Sequence, residues 1–148
     1  MSIRKYEDAD FSAVLSIYNK SKLDELKFED EEFKLLPLDQ DEKRLRDLME
    51  SDIHVFEADA VVAYGAIYGS EIRALFVDPS KRGSGLGRAL LEYLLAKIEG
   101  PASLFVAKTN FPAKSLYEAY GFEVASEFLT EYNDQPVWAN EMVRAKSF

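Results

Sequence analysis

The short run Ile3-Arg4-Lys5-Tyr6, with an apolar residue at each end and two cations between, reads as a first short strand. Beyond it the period lengthens. Phe11, Val14, Leu15 and Tyr18 fall on one side of a helix, and Asp8 or Asp10 can cap its start. Ser21 to Leu36 keeps neither period, with Leu23, Leu26, Phe28 and Phe33 scattered among charges. A second helix is expected from Pro37-Leu38-Asp39, where Asp39 and Glu42 approximate a capping box. After Asp52 the β period returns. "IHVFEA" and "VVAYGAIYG" read as strands joined at Asp59-Ala60, and "IRALFV" as a third that stops at Asp78-Pro79, because proline cannot continue a ladder. Gly85 to Ile98 carries the apolar stripe of a helix, closed by Gly100-Pro101. "ASLFVA" is a fifth strand. Phe111 to Tyr120 is a helix with Gly121 as its left-handed stop. Strands around Val124–Tyr132 and Val137–Arg144 flank the turn "NDQP". The order β-α-α-β-β-β-α-β-α-β-β predicts an α/β chain with helices packed on a mixed (α+β) sheet, not a regularly alternating doubly wound fold.

Nothing in the 148 residues suggests a linker or a repeat, so one domain is expected over residues 1–148. The absence of cysteine removes disulfides, a thiolate nucleophile and cysteine-type zinc sites. No apolar run approaches a membrane span and the N-terminus lacks a secretory core, so a cytoplasmic protein without a membrane partner is expected. The net charge of −9 argues against a nucleic-acid partner. Lys22 to Asp52 holds twelve Asp/Glu against six Lys/Arg. That stretch reads either as solvated helix faces or as a surface that attracts a cationic substrate and disfavours strongly anionic ones.

The chemistry concentrates in "VDPSKRGSGLGRALL", Val77 to Leu91. Three glycines open a helix, beside Lys81, Arg82 and Arg88. Unpaired amides in a first helical turn, together with the positive end of the helix dipole, suit a phosphate or diphosphate. A P-loop is excluded because Gly87 is followed by Arg88-Ala89 rather than Lys-Ser/Thr. A dinucleotide fingerprint fails as well: its last small residue would fall on Arg88 or Leu90.

Arg82-Gly83-Ser84-Gly85-Leu86-Gly87 fits the pattern Arg/Gln-x-x-Gly-x-Gly/Ala. With "TNFPAKSLYEAYGF" downstream, the chain resembles the GNAT superfamily of acetyl-CoA-dependent N-acetyltransferases over roughly residues 2–145. The resemblance implies a central, mostly antiparallel mixed sheet of six to seven strands, about four helices, and a cleft where the fourth and fifth strands splay apart. It implies acetyl-CoA as cosubstrate, no metal, and an amine-bearing small molecule or peptide as acceptor, attacked directly in a ternary complex. By position, Arg82, Gly83, Ser84, Gly85, Leu86, Gly87 and Arg88 would hold the diphosphate. The backbone groups of Phe76 and Val77 would pair with the pantetheine arm, and Asn110, Ala113 and Tyr117 would complete the cofactor wall. Dimers are frequent in such families, which raises a homodimer.

The resemblance also makes Tyr117 the general acid for the leaving thiolate, ahead of its neighbours Tyr93 and Tyr120. Many relatives carry Glu where this chain has Arg73. Here Glu71 stands two residues earlier on the same strand face, either as a base acting directly or through water, or as the partner of Arg73 in a salt bridge. His54, the single histidine, is the other candidate base against a structural reading. Tyr18, Phe28, Phe33, Tyr132 and Trp138 are the aromatic candidates for the acceptor pocket. A non-catalytic acyl-CoA-binding sensor is the alternative to an enzyme.

Overall fold

Seven strands form one sheet in the computed structural model, which describes residues 2–145; Met1 and residues 146–148 of the expected domain lie outside them. The strands are β1 (Ser2–Lys5), β2 (Asp52–Glu57), β3 (Val61–Tyr68), β4 (Glu71–Val77), β5 (Ala102–Ala107), β6 (Glu123–Tyr132) and β7 (Gln135–Arg144). Their spatial order is β1-β2-β3-β4-β5-β7-β6, antiparallel throughout except for β4 and β5. The helices are α1 (Phe11–Ser21), α2 (Glu42–Met49), α3 (Leu86–Ala96) and α4 (Phe111–Ala119). This is the element order expected from the hydrophobic periods.

Two local starts differ from expectation. Asp10 does not cap α1. Its carboxylate turns back to the Glu7 amide at 2.8 Å and to the Arg4 guanidinium at 2.8 and 2.9 Å. The residues from Leu38 to Gln40 make only a 3₁₀ turn, and α2 begins at Glu42 with Asp41 as its cap, accepting from the Arg44 amide. The Asp39–Glu42 reading was two residues early because Asp41 offers the same capping chemistry.

The core lies on both faces of the sheet. On one face α3 and α4 cover Ile72, Leu104, Val106 and Met142, with Leu90, Leu91 and Leu94 fully buried beneath α3. Each such leucine contributes about 1.5–3 kcal/mol of burial. A glycine at position 65 lets α3 approach β3, since a Cβ there would stand 2.6 Å from Leu94 Cδ1. On the other face α1 and α2 cover Val55, Tyr64, Ala66 and Phe76. No helix among the described residues is long and apolar enough to cross a membrane.

The feature that creates a site is the junction of β4 and β5. They pair only at Glu71↔Ser103 and Ile72↔Leu104. A bulge at the Ala66/Ile67 register then turns β4. From Arg73 onward its edge has no ladder partner in β5.

Candidate active site

The gap between the two strands opens into a cleft of about 960 Å³ that runs from the Arg82–Gly87 loop to the hairpin of β6 and β7. Alternation along β4 decides which backbone groups face it. The Asp78 amide donates to Val62 O in β3, whereas Val77 O accepts from Ser21 Oγ at 3.4 Å on the opposite side. Val77 and Leu75 therefore direct their N–H and C=O groups to the gap, and those of Phe76 point to β3. Val77 thus faces the gap with its backbone groups, while the expectation for Phe76 is corrected by the two-residue period: Leu75 faces the gap in its place. The Phe76 side chain still lines the cleft, stacked on Tyr64 at 5.5 Å and packed on Tyr18 at 5.4 Å.

At the mouth, Gly85 is the N-cap residue of α3 with φ 83°, and Gly83 has φ 86°. A Cβ at either would meet nothing within 4 Å. Among the described residues, none of the amides from Gly83 to Arg88 donates to a carbonyl or side chain, and no side chain caps α3. Free first-turn donors with open space before them suit an anion of diphosphate type. Arg82, Gly83, Gly85, Leu86 and Gly87 line the cleft. Ser84 and Arg88 do not. The Ser84 hydroxyl closes the turn onto Lys81 O at 2.8 Å, and the Arg88 guanidinium lies over the Tyr120 ring at 5.7 Å. Arg82 reaches across to Asp24 at 2.7 Å, tying the loop to the segment after α1.

The far wall comes from α4. Asn110, Ala113 and Tyr117 all line the cleft. Phe122 holds the Tyr117 ring edge-on at 5.8 Å. Burial, with a smaller push from the charge of Glu25, raises the Tyr117 phenol above its ordinary range. It therefore keeps its proton at neutral pH and can give it to a leaving thiolate. Tyr93 and Tyr120 lie outside the cleft lining. Tyr93 instead meets His54 Nδ1 at 3.2 Å beneath α3. His54 is 1% exposed and away from the cleft, which favours its structural reading.

Glu71 lines the cleft, and its Oε1 accepts from Arg73 Nε at 3.4 Å. Arg73 also donates to Glu50 at 2.6 Å and to Asp47 O at 3.0 Å, and stacks over Tyr68 at 4.0 Å. Both alternatives for Glu71 thus have a counterpart in the structure: a carboxylate on the cleft and a partner for Arg73. Of the aromatic candidates, Tyr18 and Tyr132 line the cleft. Phe28 packs on Phe111, Phe33 joins a small core with Leu26 and Val137, and Trp138 is half exposed on the sheet. Phe105 and Phe128, which the strand pattern does not single out, line it and meet edge-on at 5.5 Å.

The acidic stretch is turned around by the fold. Its charged side chains on the cleft are Lys22, Lys27, Lys43 and Arg44 against Asp24, Glu25 and Asp47. Most of its carboxylates face elsewhere. Among the described residues no group of three or more His, Asp or Glu is disposed to hold a metal.

The family profile of the Acetyltransferase (GNAT) domain matches residues 50–124. The chain is 33% identical over 72 residues to a peptidyl-lysine N-acetyltransferase of Salmonella typhimurium, covering 49% of each sequence. It thus spans about half the length of that relative. It is 46% identical over 54 residues to the ribosomal protein bS18-alanine N-acetyltransferase of Escherichia coli, covering 34% of this chain and 36% of the other. Among solved structures, a GNAT superfamily phosphinothricin acetyltransferase of Sinorhizobium meliloti in complex with acetyl-CoA superposes with a TM-score of 0.72. It is 20% identical, over 99% of this chain and 88% of the other.

Proposed function

Because the chain belongs to the GNAT family of acetyltransferases, we propose that it is an enzyme that transfers the acetyl group of acetyl-CoA to a primary amine by direct attack in a ternary complex. The observation that carries this reading is one continuous cleft that joins the uncapped amides of α3, the unpaired edge of β4 and the Tyr117 phenol. Bound there, acetyl-CoA supplies a thioester-activated acyl group. The Gly83–Gly87 amides hold its diphosphate, and Leu75 and Val77 hold the arm through their backbone groups. A β4 amide on the gap steadies negative charge on the acyl oxygen. Tyr117 gives its proton to the departing sulfur.

The acceptor amine must lose a proton before it attacks, and Glu71 is the carboxylate of β4 that lines the cleft to receive it. Its bond to Arg73 is long, which leaves its other oxygen for a water or an ammonium. We place the enzyme in the cytoplasm as one domain over residues 1–148, without a nucleic-acid or membrane partner; the homodimer that the resemblance raises is tested by sedimentation.

Steady-state release of CoA from acetyl-CoA, measured across a panel of amines and peptides, tests the reaction. Saturable, amine-dependent release supports it. Tight CoA binding with every acceptor inert favours the acyl-CoA sensor instead.

A further inference from the structure

We propose that Arg44, Lys22 and the Tyr18 hydroxyl form a carboxylate-binding pocket at the acceptor end of the cleft, so that the acceptor is a small zwitterionic amine of the free amino-acid class. This rests on the acetyl-transfer reading and specifies its second substrate.

The pocket is built around Tyr132. Its hydroxyl is clamped by the Leu36 backbone, accepting from the amide at 2.7 Å and donating to the carbonyl at 3.2 Å. Both cations stand over this fixed ring, Lys22 at 5.1 Å and Arg44 at 5.0 Å from its centroid. Both line the cleft. Each has a counter-ion, and the two differ in what they leave free. Lys22 gives one ammonium hydrogen to Glu25 at 2.8 Å. Arg44 meets Asp41 through Nη1 alone, at 3.3 Å. Asp41 is buried, caps α2 and does not line the cleft. Among the described residues, the Nε and Nη2 edge of Arg44 has no acceptor, and that edge is the fork that grips a carboxylate with two parallel bonds. Arg73, also on the cleft, is already divided between Glu50 and Glu71 and offers no such edge, and Arg82 belongs to the glycine loop.

Tyr18 supplies the second observation. It is 4% exposed and lines the cleft, and among the described residues its hydroxyl has no hydrogen-bond partner. A buried hydroxyl left unpaired costs about 1–3 kcal/mol, so its persistence calls for an acceptor that arrives with a ligand. Burial raises the Tyr18 phenol, the charge of Arg44 opposes that rise, and Tyr132, Glu25 and Asp41 add to it more weakly. All three donors line the cleft, where Glu25 is held by Lys22 and Glu71 is left for the ammonium end. A lysine side chain or a peptide N-terminus has no carboxylate beside its amine. A free amino acid has both groups two bonds apart.

The test is calorimetry on the CoA-loaded protein with paired probes: alanine, phenylalanine, glutamate and lysine, each against its α-carboxamide. At least one free acid is expected to bind tenfold or more tightly than its amide. Arg44→Gln should abolish that difference without changing CoA affinity, and Arg44→Lys should restore part of it. Tyr18→Phe should weaken the acid several-fold while leaving the melting temperature unchanged or higher, which a purely structural tyrosine would not do. Equal binding of acids and amides overturns the proposal. So does the absence of any binding while CoA still binds, or acetylation of carboxyl-blocked peptides with a kcat/KM that Arg44→Gln leaves unchanged. Loss of CoA affinity in the unmutated protein would refute the underlying acetyl-CoA reading first, and is told apart by that reading's own titration.

Discussion

Gly85→Asp separates the ligand role of the loop from its folding role. The substituted side chain enters open space, since a Cβ at Gly85 has no neighbour within 4 Å. The backbone there has φ 83°, a left-handed conformation that costs a non-glycine residue about 1–2 kcal/mol, with Asp among those that tolerate it best. At an N-cap, Asp gains only a few tenths of a kcal/mol over Gly, so it recovers little of that cost. The net loss of about 1–2 kcal/mol should lower the melting temperature by about 3–8 °C for a chain of this size. Binding suffers separately, through charge. A carboxylate about 4 Å from a phosphate charge is repelled by about 1 kcal/mol in water and about 4 kcal/mol near a protein surface. The CoA dissociation constant should therefore rise between about five- and a thousand-fold. Calorimetry with CoA, beside Gly85→Asn as the neutral isostere, reads the charge alone. The gap between the two variants should narrow as salt is raised. CoA affinity unchanged in Gly85→Asp, or equal losses in both variants at every salt concentration, would refute the reasoning.

Tyr117→Phe should lower kcat by about 10²–10⁴ with KM for acetyl-CoA near its original value. Because burial holds this phenol above its ordinary value of about 10, the alkaline limb of kcat due to its ionisation belongs above pH 10. A limb below pH 9 that vanishes in Tyr117→Phe would contradict this. Gly65→Ala pushes a methyl against Leu94 and the Ala74 carbonyl, and should cost about 1–3 kcal/mol in urea denaturation while CoA affinity stays the same. Unchanged stability would mean α3 sits further from β3 than described. Hydrogen bonds from Arg4 to Asp10 and from the Ser80 amide to Asp78 lower both carboxyls below the ordinary range. Their contribution to stability is complete above about pH 4 and is lost as pH falls through the lowered values. The urea midpoint should fall between pH 5 and pH 2.5, and a smaller fall in Asp78→Asn isolates that residue's share.

The element order was legible because each segment obeys one period and ends on its own stop: Asp78-Pro79 for β4, Gly100-Pro101 after α3, "NDQP" between β6 and β7. The glycine-rich loop was legible for a related reason, since three glycines and a helix start lie within six consecutive residues. What the pattern could not supply was orientation. Twelve carboxylates between Lys22 and Asp52 read as solvated helix faces or as a surface that draws cations; the fold brings Lys22, Lys27, Lys43 and Arg44 onto the cleft beside Asp24, Glu25 and Asp47. Ser21 to Leu36 has no period from which a facing side could be read, and the period of α2 does not say which partner its polar side meets. Which of Leu75, Phe76 and Val77 turns its amide to the gap depends on the register with β3, a long-range pairing that no local pattern encodes. Phe105 and Phe128 look like ordinary strand aromatics until β5, β7 and β6 are laid side by side. His54 shows the reverse case. As the one histidine it attracts attention, and it spends its ring on Tyr93 under α3.

The central claim is that backbone amides at the start of α3 hold the diphosphate of acetyl-CoA. Titrating ¹⁵N-labelled protein with CoA tests it most directly. The amides of Gly83, Gly85, Leu86 and Gly87 should shift furthest and become protected from solvent exchange, followed by those of Leu75 and Val77. Saturating CoA that leaves these six amides unmoved, or that shifts a set of residues outside the cleft, would contradict it.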